Sequence, residues 1–198
     1  MPADYRKPVD MREAIARFVD DSDFLDFKAD YGMATVCGHA ALQGHKIGIV
    51  TNNGPLDPAG ANKATHFIQA CCQAGLPILY LQNTTGYIVG KTSEDAGMIK
   101  HGAKMIQAVT NANVPQLTLM CGASFGAGNY GMCGRGYNPR FLFYFESQQS
   151  ALVTSALLLD DGIIDPRDTR NVLGFALSIC RDGDERDLRP VQFGVARP

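Results

Sequence analysis

The segment at residues 120–134, MCGASFGAGNYGMCG, matches three patterns of catalytic chemistry. GASFG at 122–126 fits the G-x-S-x-G turn of serine hydrolases, and GAGNYG at 126–131 fits the G-x-G-x-x-G of dinucleotide-binding folds. The third interpretation needs no reactive side chain. A glycine-rich turn that opens a helix can present bare N–H groups to a developing negative charge.

The order of residues argues against the hydrolase. The G-x-S-x-G architecture places its histidine after the nucleophile, but all four histidines precede Ser124. Ser124 is better interpreted as a turn residue or as a hydroxyl that caps backbone groups. The dinucleotide interpretation has the correct strand-then-helix context, and Glu146 lies near the expected distance for a ribose-binding acid, but the motif alone is a weak signal and Glu146 follows an aromatic run.

The third interpretation requires a buried strand that ends at Cys121, a glycine turn, and a helix that starts near Gly126. The first N–H groups of a helix have no partner inside the helix, and two that converge on one point form an oxyanion hole. A plainer alternative is a close helix–sheet contact that needs small residues only for packing. The residues alone leave both open.

Composition predicts one soluble domain over residues 1–198. Hydrophobic residues make up 45% of the chain and charged residues 19%, which is typical of a globular protein. The net charge of −2 and the lack of a basic stripe argue against nucleic-acid binding. No apolar run is long enough for a signal peptide or a membrane span, which predicts a cytoplasmic location. The six cysteines form no C-x-x-C, so we expect reduced, buried thiols and no metal site.

Periodicity and turn residues predict a layered α/β domain with parallel strands, built by repeating strand, glycine-bearing loop and helix. A hairpin is expected around Gln43 and Gly44, and an irregular tail from about Arg181. The predicted helices cover 10–19, 62–74, 93–112, 150–159 and 168–179, and the predicted strands cover 34–52 (as the hairpin), 77–82, 115–122 and 140–145.

The sequence resembles the C-terminal half of the carboxyltransferase β subunit of biotin-dependent acyl-CoA carboxylases, in the methylcrotonyl-CoA and geranyl-CoA branch. The resemblance is carried by several long motifs in the right order: YRKPVDMREAIARFVD, GIVTNNG, HFIQACCQAGLPILYLQNTTGYIVG, KHGAKMIQAV, GASFGAGNYGMCGRGYNPRF and LLLDDGIIDPRDTRNVLGFAL. It implies a crotonase-like α/β fold of repeated ββα units. It also implies transfer of a carboxyl group from carboxybiotin, held on a partner carrier or biotin carboxylase subunit, to an acyl-CoA held by a CoA-binding partner half.

The same resemblance implies the site. The N–H groups of Ala127 and Gly128 would face the ureido oxygen of biotin, in a turn shaped by Phe125 and Gly126. The loop GYIVG, with Gly86, Tyr87 and Gly90, would line the biotin entrance, and Tyr87 either packs on biotin or belongs to the core. The nitrogen of biotin takes the substrate proton, so no side-chain base is needed. His66, Lys100, His101 and Lys104 are then interpreted as surface residues, with Lys104 as a contact for a CoA phosphate or a carrier carboxylate.

The chain departs from the family pattern in two ways. The CoA-binding N-terminal half is missing, and after RFLFYF the family continues through a tryptophan-proline segment, a Met-Gly-Gly-Glu motif and a helical stretch, whereas ESQQSALVTSALLLDDG follows here. The apolar surface left by this deletion predicts a homo-oligomer. Two other functions stay open: an inactive relic or assembly module, and a hydratase or isomerase that uses Glu94 or Asp95.

Overall fold

A computed structural model describes residues 9–146 and 151–186 of the chain. Its seven strands form one sheet whose spatial order follows the chain order: β1 (Phe24–Asp26), β2 (Thr35–Leu42), β3 (His45–Asn52), β4 (Ile78–Thr84), β5 (Gln116–Ser124), β6 (Phe141–Phe145) and β7 (Gly162–Ile164). The first three strands pair antiparallel, and each pair from β3 onward is parallel. The predicted mixed α/β sheet is confirmed, and its parallel part brings the carboxyl ends of β4 and β5 to one edge.

The helices are α1 (Met11–Ala16), α2 (Pro58–Ala74), α3 (Lys91–Asp95), α4 (Met98–Thr110), α5 (Gly126–Gly131), α6 (Ala151–Ala156) and α7 (Thr169–Asp184). The capping residues are of the types usual at helix ends. The Asp10 and Asp57 carboxylates accept backbone N–H groups at the starts of α1 and α2, and Gly75 ends α2 in the left-handed conformation.

Alternating side chains of the central strands pack on opposite faces of the sheet. In β4, Leu79 and Leu81 face the layer that contains α1 and α7, whereas Ile78 and Tyr80 face the layer of α2 and α4. These strands are therefore apolar on both faces, which explains the continuous run ILYL in the sequence. The carboxyl ends of β4 and β5 emerge between the two layers.

Several predicted boundaries are wrong. The helix expected at 93–112 is broken into α3 and α4, because Gly97 has φ 88° and interrupts the helical path. Ile99, which the apolar spacing of that predicted helix places on its inward face, is 76% exposed. Helix α7 continues to Asp184, past the predicted start of the irregular tail, and the rest of that tail lies outside the described residues apart from 185 and 186.

Two strands are additional to the sequence-based assignment. Strand β1 pairs with β2 through three residues, and β7 pairs with β6 through three residues between the predicted helices 150–159 and 168–179. Both are too short to show an alternating pattern. In the described part of the chain, no helix has the length and apolar character that a bilayer span requires.

Candidate functional site at the glycine turns

Two loops that follow adjacent parallel strands meet at the carboxyl edge of the sheet. We call residues 84–90 the first glycine turn and residues 124–128 the second. A Cβ atom built on Gly128 would lie 2.6 Å from the Cα of Gly86, so the two backbones are in direct contact. Only glycine at 128 permits this approach, since the neighbouring atoms are backbone that cannot move aside.

The second glycine turn begins helix α5. Phe125 is its N-cap residue, and Gly126 has φ 50°, a conformation that favours glycine. Ser124 is half-buried, while Phe125, Gly126 and Ala127 are exposed and Gly128 is buried. The turn therefore presents three consecutive exposed residues next to a buried contact.

The backbone donors of this turn differ from one another. The N–H of Gly128 donates to the carbonyl of Phe125 at 3.1 Å, and the N–H of Asn129 donates to the same carbonyl at 3.3 Å. For the N–H groups of Gly126 and Ala127, the described residues provide no acceptor within hydrogen-bond distance. Of the predicted pair, Ala127 thus has an unengaged amide, but the Gly128 amide is already bonded.

The first glycine turn is tied to the loop that precedes α2. Leu56 donates its N–H to the carbonyl of Gly86, and Ile88 donates its N–H to the carbonyl of Leu56, both at 2.9 Å. Gly86 and Gly90 both have positive φ, 119° and 115°. Gly90 forms the N-cap of α3 and is exposed, at the outer end of the loop.

Tyr87 lies behind the second glycine turn. Its hydroxyl contacts Gly131 of α5 and donates to the sulfur of Met105 at 3.7 Å, and its ring lies beside Gly102 of α4. Burial raises the pKa of Tyr87 to about 12, so the phenol stays neutral near pH 7. These contacts favour the core interpretation of Tyr87.

A buried polar network joins β4 to α5. The side-chain amide of Gln82 bonds to Ser124, Asn129 and Met132, and the Asn129 amide also donates to the Ser124 hydroxyl at 2.8 Å. Sequence reasoning interpreted Ser124 as a turn residue or a hydroxyl that caps backbone groups, whereas its hydroxyl bonds to two side chains; Gln82 and Asn129 were missed. The signal that could have found Gln82 is a polar residue placed directly after the buried run ILYL.

The other two motif-based interpretations do not match this geometry. The partners of the Ser124 hydroxyl are Gln82, to which it donates, and Asn129, from which it accepts; a serine hydrolase would need a histidine there. Two observations argue against dinucleotide binding. Gly128 and Gly131 provide close contacts with Gly86 and Tyr87. The strands of the described sheet follow one another in chain order, so the sheet lacks the reversal of strand order at which doubly wound folds bind dinucleotides.

Most of the remaining candidate side chains lie on the surface, but His101 is half-buried and its Nδ1 is buried with no hydrogen-bond partner among the described residues. Lys100, Lys104, Glu94 and Asp95 are exposed, and the ring of His66 accepts from Lys28 at 2.9 Å in an exposed pair. Among the described residues, no group of three or more His, Cys, Asp and Glu is placed to hold a metal. The cysteines are free thiols, and burial raises the pKa of Cys121 and of Cys133 to about 12.

A cavity of about 390 Å³ lies away from the glycine turns, on the α1 and α7 side of the sheet. Its floor includes the core residues Leu81 and Leu119. At its rim, the Arg170 guanidinium pairs with Asp20 at 2.6 Å and donates to the carbonyl of Phe18 at 2.8 Å. This arginine therefore already has two protein partners.

The family model of the carboxyl transferase domain matches residues 1–153. The chain belongs to this family. It is 40% identical over 247 aligned positions to the mitochondrial methylcrotonoyl-CoA carboxylase beta chain of Dictyostelium discoideum, covering 100% of the chain and 42% of that protein. Because the alignment is longer than the 198 residues of the chain, the relative carries inserted residues within the matched region.

Solved structures of the family are also similar. The beta subunit of P. aeruginosa geranyl-CoA carboxylase superposes with a TM-score of 0.93 at 45% identity, covering 98% of the chain and 46% of that subunit. The 12S transcarboxylase, solved as a hexamer, superposes with a TM-score of 0.87 at 29% identity, covering 100% of the chain and 45% of that subunit. The expected crotonase-like fold is thereby confirmed, and the chain spans less than half the length of these relatives.

Proposed function

We propose that the chain is the biotin-side half of an acyl-CoA carboxyltransferase. It would transfer a carboxyl group from carboxybiotin to a branched enoyl-CoA such as 3-methylcrotonyl-CoA or geranyl-CoA. The observation that supports this most directly is the exposed second glycine turn, with two adjacent unengaged amides, in a chain of the carboxyl transferase family. The relatives named above bear enzyme names, so they give no support to an inactive relic.

The residues of the turn fit the ureido group of biotin. An oxygen that gains negative charge is stabilised by preorganised N–H donors, and each such donor typically lowers the barrier by about 3 kcal/mol. Gly126 and Ala127 supply two donors that have no acceptor among the described residues. Biotin supplies the transferable carboxyl group and a ring nitrogen that can take the acceptor's proton. The chain therefore needs only to bind the ureido oxygen, orient the ring and exclude water.

The proposed donor pair is shifted by one residue from the sequence-based prediction. Ala127 remains a donor, and Gly126 replaces Gly128, whose N–H is engaged with the Phe125 carbonyl. Gly128 keeps a different role, because it permits the contact with Gly86 that holds the two glycine turns together. The N–H of Gly128 could serve biotin only by sharing its hydrogen with the Phe125 carbonyl.

The biotin ring would lie against the exposed surface beside these donors. Phe125 is 48% exposed and can pack on an apolar ring, while Gly86 and Gly90 place no side chain of their own in the neighbouring loop. Tyr87 would support this surface from behind, through its contacts with α4 and α5. No metal takes part in the proposed chemistry.

The proposed reaction requires partners. Biotin would be attached to a carrier domain or subunit of a biotin carboxylase, and the acyl-CoA would be held by a CoA-binding half on another chain. Self-association is also proposed, because Leu152, Val153, Leu157, Leu158 and Leu159 are exposed around α6, near the predicted deletion. The cytoplasmic location and a role in leucine or isoprenoid breakdown remain predictions.

The test is a carboxyl-loss assay. The full chain is incubated with carboxylated biotin carrier, with and without a CoA-binding partner half, and with 3-methylcrotonyl-CoA or geranyl-CoA as acceptor. We expect acceptor carboxylation only when both halves are present. A hydratase or isomerase would instead change the enoyl-CoA without carboxybiotin. The proposal fails if the carrier retains its carboxyl group in every pairing.

A further inference from the structure

Gln82 is the most completely bonded side chain near the glycine turns. It lies near the end of β4, has no solvent-exposed surface, and is on the face of the sheet that carries Tyr80. Its Nε2 donates to the carbonyl of Met132 at 2.7 Å and to that of Asn129 at 3.2 Å. Its Oε1 accepts from the Ser124 hydroxyl and from the Asn129 amide at 3.2 Å. This uses both donors and both acceptor positions of the group.

The partners of Gln82 lie on both sides of the second glycine turn. Ser124 is the last residue of β5, whereas Asn129 lies within α5 and Met132 is its C-cap. One buried amide therefore links the strand before the turn to the helix after it. The bond between Asn129 and Ser124 closes this link into a triangle of side chains.

Helix α5 needs such a link. It has only six residues, three of which are glycine, and helices this short are unstable without tertiary contacts. Its last carbonyls have no intrahelical partner; Gln82 donates to the carbonyl of Met132 and to that of Asn129, which also accepts the Gly134 N–H at 3.0 Å. The direction of the N–H groups at the start of α5 depends on how this helix is held against β4.

We propose that Gln82 is a positioning residue for carboxyl transfer: by fixing Ser124, Asn129 and Met132, it sets the orientation of the Gly126 and Ala127 amides. It does not contact biotin itself. The inference rests on the proposed function for its catalytic consequence, but the structural link to α5 can be measured without activity.

Gln116 provides a matched control in the neighbouring strand. Its side-chain amide also makes cross-element bonds, accepting from the Tyr80 hydroxyl at 2.9 Å and donating to the carbonyl of Val109 at 3.2 Å. Gln116 begins β5, at the opposite end of the strand from Ser124. Its replacement therefore removes two cross-element bonds of the same kind, against four for Gln82, without touching the glycine turn.

The experiment compares Gln82→Met and Gln116→Met in the complex of the full chain with its carboxylated biotin carrier and CoA-binding half. For Gln82→Met, we expect kcat to fall about a hundredfold with KM for the carrier nearly unchanged, because misplaced catalytic groups lower the rate on that scale. Gln116→Met should keep the wild-type kcat at an equal fraction of folded protein. A wild-type kcat in folded Gln82→Met overturns the proposal.

Hydrogen exchange of the backbone amides gives an independent readout. In Gln82→Met, the amides at 128–132 should exchange faster than in the wild type, while those of α4 stay the same. If the wild-type complex transfers no carboxyl group, the proposed function fails, and this exchange result still decides whether Gln82 holds the turn. Unchanged exchange at 128–132 overturns the positioning role.

Ser124→Ala is the second variant if Gln82→Met does not fold. It removes two bonds, those of the Ser124 hydroxyl with Gln82 and Asn129, while the direct bonds between Gln82 and Asn129 remain; a net loss of about 1 kcal/mol corresponds to roughly a fivefold change. We expect a fivefold lower kcat with the same pattern of faster exchange at 128–132. Wild-type kcat and wild-type exchange in Ser124→Ala would contradict the proposal.

Discussion

The glycine turns and the segment around α6 both follow buried parallel strands, yet they are built in opposite ways. At the glycine turns, backbone contacts backbone, and each polar group of the Gln82 amide is bonded. Around α6, Leu152 is 78% exposed and Leu158 is 81% exposed. Several apolar side chains around α6 are thus exposed to solvent in the described chain.

This difference distinguishes a region that is held by contacts within the described chain from a region whose apolar side chains need another surface to cover them. The glycine turns are positioned by contacts within the described chain, so their geometry should survive in isolation. The leucines around α6 have no comparable cover in the described residues, so their environment should depend on association. Substitutions in the two regions should therefore have very different effects on stability.

The largest effect on stability is expected at Gly128. In Gly128→Ala, the new Cβ would meet the Cα of Gly86 at 2.6 Å, and overpacking of this kind costs about 3 kcal/mol of unfolding free energy. Urea denaturation measures the loss. Gly183→Ala is the control, because nothing lies within 4 Å of its Cβ position in α7, and alanine should stabilise that helix slightly. Equal stability of Gly128→Ala and the wild type would mean that the two turns are not in contact.

An intermediate effect is expected at Lys63, a charged residue on the buried side of α2. The side chain is fully buried, and its Nζ has no hydrogen-bond partner among the described residues. Replacing an unpaired buried cation with a similar apolar side chain removes its desolvation cost, so Lys63→Met should raise the unfolding free energy at pH 7 by about 2 kcal/mol. Lys100→Met, at an exposed position of α4, should change it little.

The same residue gives a pH dependence of known sign. Burial lowers the pKa of Lys63 below its usual 10.5, so between the lowered value and 10.5 the unfolded chain binds more protons than the folded one. The contribution of Lys63 to the unfolding free energy therefore rises with pH across that window. The advantage of Lys63→Met should shrink as the pH approaches 10.5, and an advantage that grows with pH would contradict a buried, uncompensated amine.

The smallest effect on stability is expected around α6. Replacing both Leu152 and Leu158 with serine should change the unfolding free energy by less than about 0.5 kcal/mol in the isolated chain, as is usual for exposed positions. The same change should weaken self-association in sedimentation. Leu119→Ala is the comparison variant, because Leu119 is buried in the core and its truncation should lower the unfolding free energy by about 3 kcal/mol. A loss above about 2 kcal/mol for the serine pair would show that these leucines are covered.

The sequence predicted those structural elements that depend on local residue patterns. The run ILYL and the cap Gly75 identified β4 and the end of α2, and the glycine turn before α5 was placed correctly. The three-residue strands β1 and β7 were missed, because such short segments carry no periodicity. The break at Gly97 was missed as well, because the apolar spacing continues across it.

The positioning network could not be predicted from local signals. Gln82 meets Ser124 at a sequence separation of 42 and Met132 at a separation of 50. Nothing near Gln82 in the sequence indicates these partners, since a glutamine at the end of the predicted strand 77–82 carries no signal of what its side chain bonds to. The hydrogen bond from the Gly128 N–H to the Phe125 carbonyl was likewise not predicted, because it depends on the folded conformation of the turn.

The most direct test of the central claim removes one proposed donor and leaves the turn in place. Ala127→Pro deletes the N–H at a first-turn position where proline is tolerated, and Ala127→Gly keeps it. Both are compared in the carboxyl-loss assay at an equal fraction of folded protein. We predict that kcat falls by about a hundredfold or more in Ala127→Pro and stays within about threefold of wild type in Ala127→Gly. A folded Ala127→Pro with the wild-type kcat would show that the backbone of this turn does not stabilise the reacting oxygen.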